Sequence, residues 1–183
     1  YKNKVMVKGL RDTKSLKVMQ IVMGDEHTFD CWVSYRQPNG KIKAIKPHLA
    51  AWVDMRSRAI MGDVLCENAN SDILKQSLLK MIYSEPGGVP EYLYIDNGKD
   101  YTAKTMTGRE RNDRSGMNFD NETQGFYKSI GIKDDHRALP YEPWSKGQIE
   151  RFFRTVCNRF TRWMKSYTGT LTGSKTSDKV EKD

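Results

Sequence analysis

Residues 71–95 constrain the fold most, because they join an amphipathic helix to a strand. Apolar side chains recur at helical spacing over Ile73–Ile82, Ser71 is placed to cap the helix, and Gly87-Gly88 ends it. The segment Tyr92–Ile95 that follows has the composition of a strand. Since a strand is also predicted before the helix, the order strand, helix, strand gives a crossover that pairs the two strands in parallel. The sequence therefore predicts an α/β fold.

The part of the chain before this helix predicts an antiparallel meander. Turn signals at Gly24-Asp25, Pro38-Asn39-Gly40 and Asp54–Arg58 separate runs of apolar, β-branched and aromatic residues. The runs are Leu16–Met23, Thr28–Tyr35, His48–Val53 and Ala59–Leu65. We therefore expect three antiparallel strands early in the chain.

The second half of the chain predicts one more strand and two helices. Residues 102–122 are polar, rich in Arg, Asn and Gly, and we expect them to form an exposed, mobile insertion that contacts DNA. Phe126–Ile130 then forms a short helix closed by Gly131, and Ile132–Leu139 is the last predicted strand.

A long amphipathic helix follows, and Ser145 with Gln148 forms a capping box at its start. On a helical wheel an apolar stripe lies opposite a basic face. The stripe consists of Ile149, Phe153, Val156, Phe160, Trp163 and Met164, and the basic face of Arg151, Arg154, Arg162 and Lys165. Glu150 lies at the boundary between them, so its carboxylate can face the edge of the sheet while the basic face meets a nucleic-acid backbone.

Composition and charge indicate one globular domain that meets a polyanion. The 183 residues are 37% hydrophobic and 30% charged, which is ordinary for a soluble domain with a core. The net charge of +8 makes nucleic acid the leading partner. Three widely spaced cysteines support neither a disulfide framework nor a zinc knuckle, which indicates a reducing, cytoplasmic setting. Neither a membrane-spanning run nor a signal peptide is present in the sequence.

The ends of the sequence differ from its middle. Because the sequence begins at Tyr1 rather than methionine, we expect an excised part of a longer protein. Residues 1–15 are predicted to be an N-terminal extension and residues 16–165 the core domain. Residues 166–183 are rich in Thr, Ser, Gly and Lys without apolar periodicity, and are predicted to be a linker toward a further C-terminal domain.

Two acids stand where metal chemistry on phosphate could use them. Asp96 ends the strand Tyr92–Ile95 and is followed at once by Asn-Gly, a position that packing explains poorly, although a turn role is the alternative. Glu150 could instead be a solvated carboxylate that pairs with Arg154 four residues on. Phosphoryl transfer needs an activated oxygen and neutralised phosphate charge, which two Mg²⁺ ions about 3.5–4 Å apart provide. Because Mg²⁺ prefers carboxylate oxygens, three such acids would suffice.

The first acid of such a set has several candidates. Asp25, Asp30, Asp54 and Asp63 all lie in the early meander, and Asp25 is preferred because it directly follows an apolar run. Asp54 has a sufficient role in a hairpin turn. Asp134 and Asp135 also lie on a predicted strand, but a doublet puts one carboxylate on each face and is typical of an exposed edge. The histidines His27, His48 and His136 are not expected to be ligands, because Mg²⁺ prefers oxygen.

Four segments in order resemble the catalytic core of the DDE transposase and retroviral integrase superfamily. They are VMGDEHTFDCWV, AAWVDMRSRAIMG, YLYIDNGKDY and YEPWSKGQIERFFRTV, and the similarity covers about residues 16–165. Within that superfamily the long gap between the second and third acids, and the hairpin after GDEH, look most like the phage Mu transposase group.

The resemblance implies a ribonuclease H-like fold with a five-stranded mixed sheet, three antiparallel strands followed by parallel ones, and helices on both faces. It implies that Asp25, Asp96 and Glu150 bind two Mg²⁺ ions, which Mn²⁺ can replace, with Asp25 bridging them. The implied chemistry is nicking at the ends of a bacterial or phage-encoded element and transfer of the freed 3′-hydroxyl to target DNA. The implied partners are DNA, further copies of the protein and an accessory ATPase.

The resemblance also bears on DNA contacts. Many relatives place a lysine two turns after the glutamate, where this chain has Cys157, for which no catalytic role is needed. Contacts to the DNA end are therefore expected from Lys146, Arg151 and Arg154, and from Asn97 and Lys99 next to Asp96, although a solvated helix charge is the alternative for each basic residue.

Two other functions stay open from the sequence. One is a ribonuclease H-like nuclease that shares the three acids but only hydrolyses. The other is a non-catalytic DNA-binding or assembly module, in which the acids are turn and surface residues.

Overall fold

The structure, a computed structural model, describes residues 13–108, 125–137 and 147–169. The strands in these ranges are β1 (Ile21–Thr28), β2 (Val33–Arg36), β3 (Ile42–Ile45), β4 (His48–Asp54), β5 (Ile60–Cys66), β6 (Tyr92–Ile95) and β7 (Asp134–Arg137). The helices are α1 (Ser71–Tyr83), α2 (Lys104–Thr107), α3 (Phe126–Ser129) and α4 (Gly147–Arg159), and 3₁₀ turns lie at Thr13–Ser15 and Thr161–Trp163. None of the helices in these ranges is long and apolar enough to cross a membrane.

One mixed sheet organises the described residues. Its strand order is β5-β4-β1-β6-β7, in which β5, β4 and β1 pair antiparallel, whereas β1, β6 and β7 pair in parallel. The predicted five-stranded mixed sheet is thereby confirmed. Strands β2 and β3 form a separate hairpin, closed by the predicted turn at Pro38-Asn39-Gly40, where Gly40 has a φ of +82°.

Side chains that alternate along β1 and β4 build a core on each face of the sheet. Val22, Ala50 and Trp52 pack with the apolar face of α1, in a cluster that also takes in side chains of α2 and α3. Met23 and Ala51 pack on the other face with α4. The expectation of helices on both faces of the sheet is therefore confirmed.

The first strand lies differently from its prediction. Leu16–Met23 was expected to end at Gly24-Asp25, but β1 begins at Ile21 and continues to Thr28. The strand continues because β4 pairs with every residue from Val22 to Thr28. Asp25 therefore lies inside a strand rather than after one.

Glycine at position 24 does not end the strand but makes room for a tryptophan. Gly24 pairs with Trp52, which is fully buried, and a Cβ on Gly24 would collide with the indole ring. The indole Nε1 donates to Ser77 Oγ of α1 at 2.7 Å, and its ring meets Tyr101 edge-on, with centroids 5.9 Å apart. This close approach ties β1, β4 and α1 together.

Two further expectations need correction. The N-cap of α1 is Asn70 rather than Ser71, since Asn70 Oδ1 accepts hydrogen bonds from the backbone N–H groups two and three residues on. The start of the segment 102–122 is not exposed: Thr102 and Met106 are buried, because α2 packs into the core cluster around Trp52. Residues 109–124 lie outside the described residues.

The Gly24→Ala substitution is expected to lower the free energy of unfolding by about 1–3 kcal/mol, the usual cost of forcing an extra methyl group into a packed core. Urea unfolding monitored by circular dichroism measures the change. Gly147→Ala is the matched control, because a Cβ there meets no atom of the described residues within 4 Å, and the substitution is expected to be neutral or stabilising. Equal stability of the two variants would contradict the tight contact at Gly24.

Candidate active site

The sheet sets two of the predicted acids side by side. In the parallel pairing of β1 with β6, Met23 is the partner of Tyr94. Continuing that register by two residues places Asp25 level with Asp96, the first residue after β6. Neighbouring strands lie about 4.8 Å apart, so the two carboxylates start from adjacent backbone positions. Both residues are half-buried.

Asp25 points to the face of the sheet that α4 covers. It lies two residues after Met23, and side chains two apart on a strand share a face. Met23 belongs to the core cluster that includes Ile149 and Phe153 of α4. Asp25 Oδ1 also accepts a hydrogen bond from the Glu26 N–H at 3.0 Å.

Glu150 lies in the first turn of α4, at the boundary between its two faces. Its neighbour Ile149 is fully buried and Phe153 is 4% exposed, and through them the helix packs on the sheet. Glu150 itself is exposed, as are Arg151 and Arg154. The boundary position expected from the helical wheel is thus where the structure places Glu150.

The three acids do not form a ready-made metal cage. No group of three or more His, Cys, Asp or Glu side chains in the described ranges is arranged to hold an ion. The donor chemistry nevertheless suits Mg²⁺, because carboxylate oxygens are its preferred protein ligands. Asp25 and Asp96 form a two-acid platform, and Glu150 stands apart from it on the helix.

A polar pocket lies beside Glu150. It has a volume of about 350 Å³ and is lined, within the described residues, by Gly147, Glu150, Arg151 and Arg154. Guanidinium groups bind phosphate oxygens well, because their planar N–H donors match the phosphate geometry. The pocket therefore combines a carboxylate with two groups suited to a DNA backbone.

The other expected DNA contacts have mixed outcomes. Lys99 is exposed and Asn97 is half-buried, both directly after the strand-end acid. Lys146 and the capping residue Ser145 lie outside the described residues.

The apolar stripe predicted for α4 is confirmed for its first members. The prediction is wrong for Phe160 and Trp163, which are exposed because α4 ends at Arg159.

His27 joins β1 to α4, a role that the sequence reasoning missed. Its ring stacks on Phe153, with centroids 5.0 Å apart and planes 18° apart, and meets Phe29 edge-on at 5.6 Å. Its Nε2 lies 3.0 Å from the Cys157 Sγ. The spacing of these residues could have indicated the contact. His27 is two residues after Asp25 on a strand, and Cys157 is seven residues after Glu150 on a helix, so each pair shares one face of its element.

Burial keeps this pair of side chains neutral. It lowers the pKa of His27 below its ordinary value, although the charges of Asp30 and Asp25 act in the opposite direction. It also raises the pKa of the Cys157 thiol. Near pH 7 the contact therefore joins a neutral imidazole and a thiol, which supports a structural tie between β1 and α4.

Tyr101 is a second residue that the sequence reasoning missed. It is 2% exposed, and among the described residues its hydroxyl has no hydrogen-bond partner. Its pKa is raised well above the ordinary value, first by burial and then by the negative charges of Asp25, Glu26 and Asp96. The charges of both Asp25 and Asp96 therefore act on the Tyr101 hydroxyl, which lies in the core.

The competing acids of the meander have structural partners. Asp54 is fully buried in its turn, where it accepts from the Met19 N–H at 2.9 Å and from the Ser57 hydroxyl at 2.6 Å. Its expected turn role is therefore confirmed. Asp63 forms an ion pair with Lys80 of α1 at 3.0 Å.

The acid doublet on β7 is not simply an exposed edge. Asp135 is 4% exposed, and its carboxylate lies 3.6 Å from the Arg137 Nε, which is also buried. The strand β7 is the edge of the sheet, as expected, but Asp135 is buried because α3 packs against β7 and brings the buried Tyr127 to the strand. Neither acid of the doublet lies on the strands that carry Asp25 and Asp96.

Comparison with known proteins identifies the family to which this chain belongs. A family model described as Bacteriophage Mu transposase matches residues 13–183. The chain belongs to the Bacteriophage Mu transposase family. It is 32% identical over 147 residues to the Mu-like prophage FluMu transposase A of Haemophilus influenzae, an alignment that covers 79% of this chain. The chain spans about a fifth of that relative, since the alignment covers 20% of its length.

The fold of this Mu transposase family member also resembles a retroviral one. A chain of the simian T-cell lymphotropic virus intasome, solved in complex with the PP2A regulatory subunit B56 gamma, matches with a TM-score of 0.53 and 21% identity. The match covers 81% of this chain and 42% of that one. The ribonuclease H-like fold and the resemblance to DDE transposase cores of the Mu group are thereby confirmed.

The His27→Ala substitution is expected to lower the free energy of unfolding by about 1–2 kcal/mol, because it removes two aromatic contacts and one polar contact. His27→Phe keeps the stacking and should recover about half of the loss. Chemical denaturation measures both variants. His48→Ala is the control, since the His48 ring bonds the exposed Thr28 hydroxyl, at 3.1 Å, and loss of this exposed contact should cost less. An unchanged stability of His27→Ala would exclude the tie.

Proposed function

We propose that this chain carries the chemistry of a DNA transposase, namely metal-dependent nicking at the ends of a mobile element and transfer of the freed 3′-hydroxyl to target DNA. The observation that carries the proposal is the parallel pairing of β1 with β6, which, continued by two residues, brings Asp25, on the face that α4 covers, level with Asp96, the first residue after β6. Membership of the Bacteriophage Mu transposase family supports it.

In this proposal Asp25, Asp96 and Glu150 hold two Mg²⁺ ions, or Mn²⁺ in their place. Bound there, the ions activate the attacking oxygen and neutralise charge on the phosphate. Asp25, in the middle of β1, would be a ligand shared by both ions, whereas Asp96 and Glu150 would each serve one. Catalytic contacts are often long in a free protein and tighten when substrate binds, so Glu150 joins the platform when DNA is bound.

The basic residues position the DNA. Arg151 and Arg154 line the pocket that Glu150 shares, so a phosphate held there lies next to the third acid. Asn97 and Lys99 follow directly after Asp96 in the sequence, and Lys146 adds a charge just before α4. The net charge of +8 draws DNA to the domain.

The partners are those of a transposition complex. We propose that element ends and target DNA are bound by several copies of the full-length protein, of which this chain supplies the reacting groups. The accessory ATPase stays a prediction from the sequence resemblance, as does action in the cytoplasm of a bacterial cell.

The alternative functions differ in the DNA products that they form. A hydrolytic nuclease would cut the same strands but leave no product in which an element 3′-end is joined to target DNA. A binding module would do neither, and loss of one acid would change nothing. A strand-transfer assay on the full-length protein with its own element ends therefore separates all three functions.

The Asp96→Asn substitution in the full-length protein is expected to reduce nicking and strand transfer by at least about a thousandfold, since several kcal/mol of charge stabilisation are lost. DNA binding should stay within about twofold of wild type, because binding rests on the basic residues. Gel assays of cleaved and joined products and a filter-binding assay measure the two effects.

The matched control is Asp63→Asn, which makes the same chemical change on β5, where Asp63 forms an ion pair with Lys80 of α1. That variant should keep its strand-transfer activity. Strand transfer retained by Asp96→Asn, or lost equally in both variants, would contradict the proposal.

The Arg154→Ala substitution is expected to weaken DNA binding by a similar factor for every sequence, because a guanidinium in this pocket contacts phosphate rather than bases. The slope of log affinity against log salt should fall by about one. Fluorescence anisotropy over a range of salt concentrations measures it. Arg36→Ala, an exposed arginine on the β2–β3 hairpin, is the control and should leave the slope unchanged. A sequence-dependent loss would exclude a phosphate contact.

A further inference from the structure

Two large aromatic side chains stand in solvent directly after α4. Phe160 is 58% exposed and Trp163 is 83% exposed, although their spacing predicts that they continue the apolar stripe of the helix. The helix ends at Arg159, and the helical spacing is lost at the 3₁₀ turn Thr161–Trp163, so Phe160 and Trp163 no longer lie on the buried face. We refer to residues 160–165 as the aromatic turn.

The aromatic turn is fixed from both sides rather than loose. Thr161 is fully buried, and its hydroxyl donates to the Cys157 carbonyl at 2.9 Å. Met164 packs against the core cluster on the α4 face of the sheet. Further on, the N–H of the buried Thr168 donates to the Asp30 carbonyl at 2.9 Å. Because the polypeptide is pinned on either side, Phe160 and Trp163 are held outward by the fold.

The charged residues along this stretch of the chain have one sign. Between Arg151 and Gly169 the sequence contains no Asp or Glu. Its five basic residues are all exposed, and they are Arg151, Arg154, Arg159, Arg162 and Lys165. Exposed aromatic rings among cations are the combination that binds single-stranded nucleic acid, because bases stack on the rings while phosphates meet the charges.

We propose that the aromatic turn is a stacking platform for unpaired bases of a DNA strand whose phosphates lie along Arg159 and Arg162. The inference rests on the proposed function and deepens it, because it names the form of DNA that one surface takes. From Glu150 to Arg159 the helix spans about 14 Å at 1.5 Å per residue. That length is about four nucleotide steps of 3.4 Å. One strand can therefore reach both the pocket at Glu150 and the aromatic turn.

DNA fits this surface better than a second copy of the chain does. In a twofold dimer the same patch of both copies meets itself, so the arginines would face one another. The aromatic turn is also continuous, along α4, with the arginines that line the pocket at Glu150. Stacking does not depend on base identity, so the aromatic turn should bind an unpaired strand of any sequence.

The test compares single-stranded and blunt duplex oligonucleotides of the same sequence, bound to the 183-residue chain and its variants. Trp163→Ala should weaken binding of the single strand about tenfold, the effect of losing one stacked base, and change duplex binding less than about twofold. Trp163→Phe should restore most of the affinity. Single-stranded DNA should also quench the tryptophan fluorescence of wild type, and Trp163→Phe should lose that quenching.

Tyr83→Ala is the matched control, since Tyr83 is 84% exposed on α1, on the opposite face of the sheet, and should bind both forms of DNA as wild type does. Equal losses for single strand and duplex, or no loss at all, would overturn the proposal. The proposal would also be overturned if Trp163→Ala kept its affinity for the single strand but lost self-association in sedimentation, or lost binding to anionic vesicles. These measurements need neither metal nor catalysis, so their failure is distinguishable from failure of strand transfer.

Discussion

The whole arrangement depends on the register of β1 at the centre of the sheet. Because side chains alternate along this strand, Gly24 faces the α1 layer, where Trp52 fills the space above it, and Asp25 faces the α4 layer. The parallel pairing with β6 then sets Asp25 level with Asp96. A slip of one residue would turn the carboxylate into the tryptophan core and leave the α4 face without its acid. The stability of the core and the geometry of the site therefore rest on the same register.

Sequence patterns predicted the elements whose boundaries are set locally. The bounds of β6 follow from a short apolar run between turn residues. Helical periodicity predicted α1, although the helix ends at Tyr83, before the expected stop at Gly87-Gly88. The depth of Asp25 in β1 could not be predicted in this way, because β1 continues only as far as β4 pairs with it. The burial of Asp135 depends likewise on α3, a helix that packs against β7. Contacts between distant parts of the chain decided what local patterns could not.

The helix α4 shows how one periodic stripe can serve two purposes. Its first apolar residues bury against the sheet, as the helical wheel predicts. The stripe then passes into solvent because the helix ends where Thr161 turns its hydroxyl back to the Cys157 carbonyl, and Thr168 holds the chain against Asp30. Neither contact has a signature in the spacing of apolar residues. The basic face is continuous across this change, so charge patterning predicted the surface better than hydrophobic patterning did.

The three acids are held by forces of different kinds. Asp25 is held in the hydrogen-bonded ladder of β1 with β4, and Asp96 follows directly on the end of β6, so both positions move little without breaking the sheet. Glu150 is exposed on a helix that reaches β1 through side chains alone, chiefly Ile149, Phe153 and the contact with His27. A small rotation or shift of α4 therefore moves the third carboxylate while the other two stay in place. Arg151 and Arg154 lie on the same turns as Glu150 and line the same pocket. Under the proposed function, a phosphate bound by these arginines sets the position of the helix end, and so DNA itself brings the third acid to the platform.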